Sequence, residues 1–145
     1  MLDRGTADVL GIPVAAVDYE AAVERIVSAA RRRRPMAVSA LAVHGLMTGV
    51  LDPVQRYRLN HLDLLVPDGQ PVRWALRWLH GISLPDRVYG PELMRRLCAR
   101  AALEGLPIFL FGGTGDQLAA LSSSLRRRHP ALKIAGTRPS QFQRV

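Results

Sequence analysis

Apolar positions along this chain fall into two patterns. Short unbroken runs alternate with longer stretches in which apolar residues recur every three or four positions. The runs suit strands covered on both faces, and the wider spacing suits helices with one apolar side. Their alternation predicts βαβ units and a parallel sheet. Residues 9–17 are apolar but broken by Gly11 and Pro13, which predicts a short strand or hairpin. Asp18 then offers a side-chain cap, and Glu20 a first-turn carboxylate, to a helix with Ala22, Val23, Ile26, Val27 and Ala30 on one face. That helix stops at the arginines of positions 31–34 and Pro35.

Residues 36–43 read as a doubly covered strand, with His44-Gly45 as the turn out of it and a helix over 46–51. Asp52-Pro53, an N-cap followed by proline at the first helical position, starts a short helix to about Asn60. Residues 62–66 form the next strand. It passes through Pro67-Asp68-Gly69-Gln70 into a helix holding Trp74, Leu76 and Trp78, and the tryptophan pair is read as core. Gly81 and Pro85 mark a loop. Gly90-Pro91-Glu92 opens a helix with Leu93, Met94, Leu97 and Ala101 as its stripe, closed by Gly105. Residues 107–111 read as the best-buried strand, turned by Gly112-Gly113-Thr114-Gly115-Asp116 into a helix that reaches Arg128. After His129-Pro130 comes a last strand over 132–136. Residues 137–145 are polar and read as an unpaired tail. The expectation is one α/β domain over 1–136, an open and mainly parallel sheet with flanking helices.

Composition narrows the picture. A chain of 145 residues, 48% hydrophobic and 22% charged, has the balance of one globular domain. It lacks both an 18-residue apolar run and the layout of a signal peptide, so a cytoplasmic location is expected. Cys98 is the only cysteine and falls in an apolar helical stripe, where a buried thiol is expected. The net charge of +8 comes largely from the arginine runs at 31–34 and 126–128. Each run closes a helix, where cations complement the dipole; attraction to an anionic membrane surface or substrate is the alternative. The runs carry no interleaved aromatics and no recognition motif, so nucleic acid is not expected as a partner.

In an open parallel sheet, ligands bind at the carboxyl ends of the strands. Asp68 sits there, between proline and glycine, and is either a turn former or helix cap, or a base that takes a proton from an attacking hydroxyl. Gly112, Gly113 and Thr114 either make a plain βα turn or let backbone N–H groups approach a phosphate. Arg87 suits either a two-pronged diphosphate contact or a local salt bridge with Asp86 or a nearby carboxylate. His44 either faces the crevice or is a satisfied turn histidine. There is no Asp-x-Asp pair and no His/Cys cluster, so neither a metal nor a cofactor is expected.

The same segments carry a family resemblance. Residues 62–69, Val72-Arg73-Trp74, residues 86–93, residues 108–113 and residues 129–136 resemble, in order, five blocks of the WecG/TagA/CpsF glycosyltransferases. The resemblance implies a Rossmann-like fold. It also implies inverting, metal-independent transfer of an N-acetylmannosamine-type sugar from a UDP donor to a lipid-diphosphate-linked acceptor, for cell-surface polysaccharide, at the inner face of the plasma membrane. It implies Asp68 as general base and Arg87 at the donor diphosphate. Ser39, His44, Gly69, Gln70, Gly90, Gly112, Gly113 and Thr114 are then expected to bind substrate. Many members carry Thr-x-Asn where this chain has Ser39-Ala40-Leu41, which leaves the donor sugar open. The family continues beyond the last strand into a basic appendage linked to membrane contact. The sheet is therefore expected to be incomplete on its C-terminal side and the chain weakly active alone. A complementing C-terminal fragment, an oligomer, or a role as a nucleotide- or partner-binding module follows as the alternative.

Overall fold

The computed structural model describes residues 1–141. The chain divides into two compact units, Met1–Met94 and Arg95–Val145.

The first unit opens with an antiparallel hairpin of β1 (Asp3–Val9) and β2 (Ile12–Val17). Its two loop residues, Leu10 and Gly11, have φ of 55° and 86°, the positive values that a two-residue hairpin turn needs. The hairpin reading of residues 9–17 was half complete: β1 escaped notice because it is polar. Only Ala7 and Val9 of its seven residues are buried, so it alternates rather than forming a run. Then come α1 (Tyr19–Arg31), β3 (Val38–Leu41), α2 (Val43–Leu51), α3 (Pro53–Asn60), β4 (Leu64–Pro67), α4 (Gln70–His80) and the start of α5 (Gly90–Glu104). Strands β3 and β4 are parallel, in register from Val38 opposite Leu64 to Leu41 opposite Pro67. Val9, Ile12, Val14, Leu41 and Leu65 meet Leu46 of α2 and Val72 and Leu76 of α4 in the core.

Asp18 caps α1 as expected, accepting the Ala21 N–H at 2.9 Å, and its second oxygen accepts the Leu2 N–H at 2.7 Å. A second tie joins the hairpin to α1: Arg25 donates from Nε to Asp3 at 2.7 Å and from a terminal nitrogen to the other oxygen. The Arg25 guanidinium holds the Asp3 carboxyl below its ordinary value near 3.8. A depressed folded pKa means that the bond stabilises the fold above that ordinary value and is lost as pH falls through the lower one. Asp3→Asn should therefore cost up to about 1 kcal/mol at neutral pH, because the pair is solvent-screened. The gap from the parent should close below pH 3.8. Chemical denaturation across pH checks this.

Two expectations for this unit are corrected. The apolar run at 36–43 is not all strand: β3 ends at Leu41, and Val43 already belongs to α2. His44 and Gly45 thus lie in the first turn of α2, since an apolar run cannot mark where a strand passes directly into a helix. Nor are the tryptophans core. Val72 and Leu76 fill the inward face of α4, and Trp74 and Trp78 are 49% and 76% exposed. Their rings stack on each other, with centroids 5.9 Å apart.

The second unit is a βαβ arrangement of β5 (Ile108–Phe111), α6 (Gly115–Arg128) and β6 (Ile134–Arg138), the two strands parallel. Cys98, Ala101, Leu110, Leu118, Leu125 and Leu132 form its core, and burial pushes the Cys98 thiol above its ordinary value. Strand β5 is not doubly covered: Leu110 points into the core, while Phe109 and Phe111 are exposed. Only one of its faces receives helices, so the apolar run overstates its burial. The tail expected from Thr137 is also corrected. β6 runs to Arg138, Thr137 pairs with Leu110, and Ser140 donates its N–H to the Gly113 carbonyl at 3.1 Å. Polar residues form this extension because backbone bonds, not side-chain burial, hold it. The rest of the expected tail, 142–145, lies outside the described residues. Among the described residues no helix is long and apolar enough to cross a membrane.

Candidate active site

The β3–β4 ladder decides where Asp68 goes. Pairing continues one step past the strand, with the Asp68 N–H donating to the Leu41 carbonyl at 3.1 Å. Gly69 then takes φ 91°, a left-handed conformation that turns the chain sharply into α4 and that a side chain would strain. Asp68 is half-buried at this strand tip, and no described residue bonds to its carboxylate. The helix-cap alternative fails, because the N-cap of α4 is Gly69 and no side chain caps that helix.

The loop of Arg87 is fastened to the same tip. Val88 is buried, and its N–H donates to the Pro67 carbonyl at 2.7 Å. Gly90 abuts β3: a Cβ there would lie 3.3 Å from the Ala40 methyl. The Tyr89 N–H donates to the Tyr19 hydroxyl at 3.0 Å. The loop therefore cannot move from the carboxyl ends of β3 and β4 without breaking these contacts. The salt bridge anticipated between Arg87 and Asp86 is not made. Asp86 instead accepts Arg87's own backbone N–H at 2.7 Å, and the exposed guanidinium lies 4.8 Å from the centre of the Tyr89 ring. Stacking orients a guanidinium and leaves its in-plane donors available.

Helix ends add a third feature. α1, α3 and α6 are capped by Asp18, Asp52 and Thr114. α2 and α4, which leave the tips of β3 and β4, begin at Ala42 and Gly69 with no side-chain cap. The first N–H groups of such helices need an outside acceptor, and an anion serves as one.

The other expected residues divide. Ser39 lies within β3 opposite Leu65, two residues short of the tip and half-buried. His44 is exposed in the first turn of α2, and its carbonyl accepts from the Thr48 hydroxyl at 2.8 Å. Gln70 opens α4 but accepts from Arg73 at 2.6 Å, so its amide oxygen is engaged within the helix. Asp68, Gly69, Arg87 and Gly90 thus come together at the tips of β3 and β4, with His44 on the helix that leaves β3. Gly112, Gly113 and Thr114 belong to the second unit, at the carboxyl end of β5.

In that turn Gly112 and Gly113 have φ of 113° and 71°. The Gly112 N–H donates to the Arg138 carbonyl at 3.0 Å. Thr114 caps α6. Its hydroxyl accepts the Gln117 N–H at 3.2 Å, and its own N–H donates to the Gln117 side chain at 2.9 Å. These reciprocal bonds form a capping box, and they leave the hydroxyl proton of Thr114 free to donate. Asp116 in the first turn of α6 disfavours a bound anion there. Sequence reasoning missed Tyr19, Tyr89 and the uncapped start at Ala42. The Arg87-x-Tyr89 spacing was a usable signal for the stacked pair; nothing in the sequence pointed to Tyr19.

Parallel strands whose carboxyl ends gather a free carboxylate, an oriented arginine and two uncapped helix ends define a Rossmann-like α/β protein with its candidate site at the strand tips. Residues 7–145 match the model of the glycosyl transferase WecG/TagA/CpsF family, and the chain belongs to that family. It is thus a glycosyltransferase by kind, with a sugar donor and an acceptor as its substrates.

Proposed function

We propose that this chain transfers an N-acetylmannosamine-type sugar from a UDP donor to a lipid-diphosphate-linked acceptor in cell-surface polysaccharide synthesis, at the cytoplasmic face of the membrane. The observation carrying this reading is the unpartnered Asp68 carboxylate at the β4 tip, fastened to the Arg87 loop through the Val88 N–H and Pro67 carbonyl. Asp68 takes the proton of the acceptor hydroxyl as that oxygen bonds to the anomeric carbon. The bond from the anomeric carbon to the diphosphate oxygen breaks on the opposite face, inverting the centre, and UDP leaves with the electron pair. Arg87 and the free N–H groups opening α2 and α4 are the groups suited to the charge on that diphosphate, without a metal ion. Gly69 and Gly90 keep the backbone close to the substrate. Ser39, His44 and Gln70 line its approach.

Assay of UDP-N-acetylmannosamine with a lipid-diphosphate acceptor tests the reaction; a hydrolysed donor with no transferred sugar would reject it. For the donor site, Arg87→Ala should weaken UDP binding about tenfold to a hundredfold, the range for losing a charge-assisted bond. Arg87→Lys should recover only part of this, because an ammonium neither forks nor stacks like a guanidinium. Calorimetric titration with UDP measures both, and unchanged affinity in Arg87→Ala would remove Arg87 from the donor site.

A further inference from the structure

Arg73 takes no part in the reaction proposed above, yet its guanidinium stands where the first turn of α4 meets the loop that leads to Arg87. One terminal nitrogen donates to the Gln70 side-chain oxygen at 2.6 Å, and the other donates to the Leu84 carbonyl. Its Nε–H is buried with no partner. No described carboxylate pairs with this cation. It also lies close to the start of α4, the end at which a helix dipole disfavours positive charge. Neither an ion pair nor the dipole therefore accounts for an arginine here. What the guanidinium does is bridge. It is a rigid planar fork, and it holds two oxygens, one in the helix and one in the loop.

We propose that Arg73 is a positioning residue, which straps the Arg87 loop to the first turn of α4 and so sets where the Arg87 guanidinium lies relative to Asp68. Leu84 is buried in the first unit's core, which fixes its side chain. Arg73 fixes its carbonyl, and with it the direction in which the backbone departs toward Arg87. The loop is fastened again just beyond Arg87, by the Val88 N–H on Pro67 and the Tyr89 N–H on Tyr19. The exposed residues 85–87 thus span two fixed points. The same fork settles Gln70. An arginine only donates, so the amide oxygen must face it, and the N–H donors of that amide are left unengaged at the opening of α4. Asp68 and Gly69 immediately precede Gln70. One guanidinium therefore ties the turn of the proposed base to the loop of the proposed diphosphate ligand. The purpose of the strap rests on the proposed reaction, but the strap itself rests on the bonds of Arg73.

Arg73→Met keeps the packed stem and removes the fork, and Arg73→Lys keeps the charge but replaces the planar fork by a point donor. Backbone amide exchange followed by NMR in the full chain, without UDP, reads the strap. In Arg73→Met the Val88 and Tyr89 amides should exchange roughly tenfold faster, while the Asp68 amide, bonded to Leu41 beside the β3–β4 ladder, keeps its parent rate. Arg73→Lys should fall between parent and Arg73→Met. Calorimetric titration with UDP reads the consequence. Arg73→Met should weaken UDP binding about tenfold, the lower end for losing a charge-assisted bond. In an Arg87→Ala background the same change should weaken it no further, since Arg73 acts through Arg87. The proposal is overturned if the Val88 and Tyr89 amides keep their parent rates, or if UDP affinity is unchanged in Arg73→Met. It is also overturned if the Asp68 amide accelerates with the other two, which would make Arg73 a support of the whole unit. Full recovery in Arg73→Lys would make charge alone the contribution and overturn it as well, as would a loss of UDP affinity that adds to that of Arg87→Ala. Parent protein that binds no UDP would reject the donor site instead, and the exchange rates would then judge the strap by themselves.

Discussion

Asp68→Asn is expected to lower kcat for sugar transfer by about 10²–10⁴-fold, the range for removing a positioned proton acceptor. The amide has nearly the same shape and cannot accept the hydroxyl proton. The melting temperature should hardly move, because the carboxylate bonds to no described residue and the change should stay within roughly 0.5 kcal/mol. UDP binding should also persist, since the groups suited to the diphosphate are Arg87 and the openings of α2 and α4. A loss of turnover with intact folding and intact nucleotide affinity is the signature of a base. Steady-state kinetics beside calorimetric titration of the same variant reads it. Retained turnover would move the proton acceptor elsewhere. A large loss of stability instead would make Asp68 a structural residue, contrary to the geometry at the β4 tip.

Parts of this arrangement were legible in the sequence for definite reasons. Asp18 and Asp52 announce helices because a short polar side chain at that position has a specific task, and each performs it. Pro67-Asp68-Gly69 announced a turn because Gly69 alone of the three tolerates φ 91°. What local pattern could not carry was the allocation of faces. Phe109, Leu110 and Phe111 are equally apolar, yet only Leu110 meets the helices. β1 holds its place by backbone pairing and two buried residues, too few to register as a run. Thr114 was legible as polar at a helix start; that it caps α6 shows only in its reciprocal bonds with Gln117. The salient feature of α2 and α4 is a missing cap, and an absence at Ala42 carries no signal until the helix boundary is known.

Helix α4 makes the sharpest case of faces misread from spacing, and it sets the second large expectation. Trp74 and Trp78 have the i, i+4 spacing of a core stripe, but so do Val72 and Leu76, and only one pair can face inward. Leu76 is fully buried against Val9, Ile12, Val14 and Leu65 in the first unit's core. Leu76→Ala should cost about 2–5 kcal/mol, combining lost burial with the cavity left behind. Trp78→Ala removes a larger side chain from the same helix. It should change stability by no more than roughly 0.5 kcal/mol, because that ring is 76% exposed and nothing collapses around it. Urea denaturation followed by far-ultraviolet circular dichroism compares the two. Costs in the reverse order would mean that Trp78 faces the core and Leu76 the solvent. With the order as expected, the inward leucine fixes the helix whose first turn follows Asp68. The outward tryptophan is then held in place at almost no cost to the fold, as a residue kept for contact with something else would be.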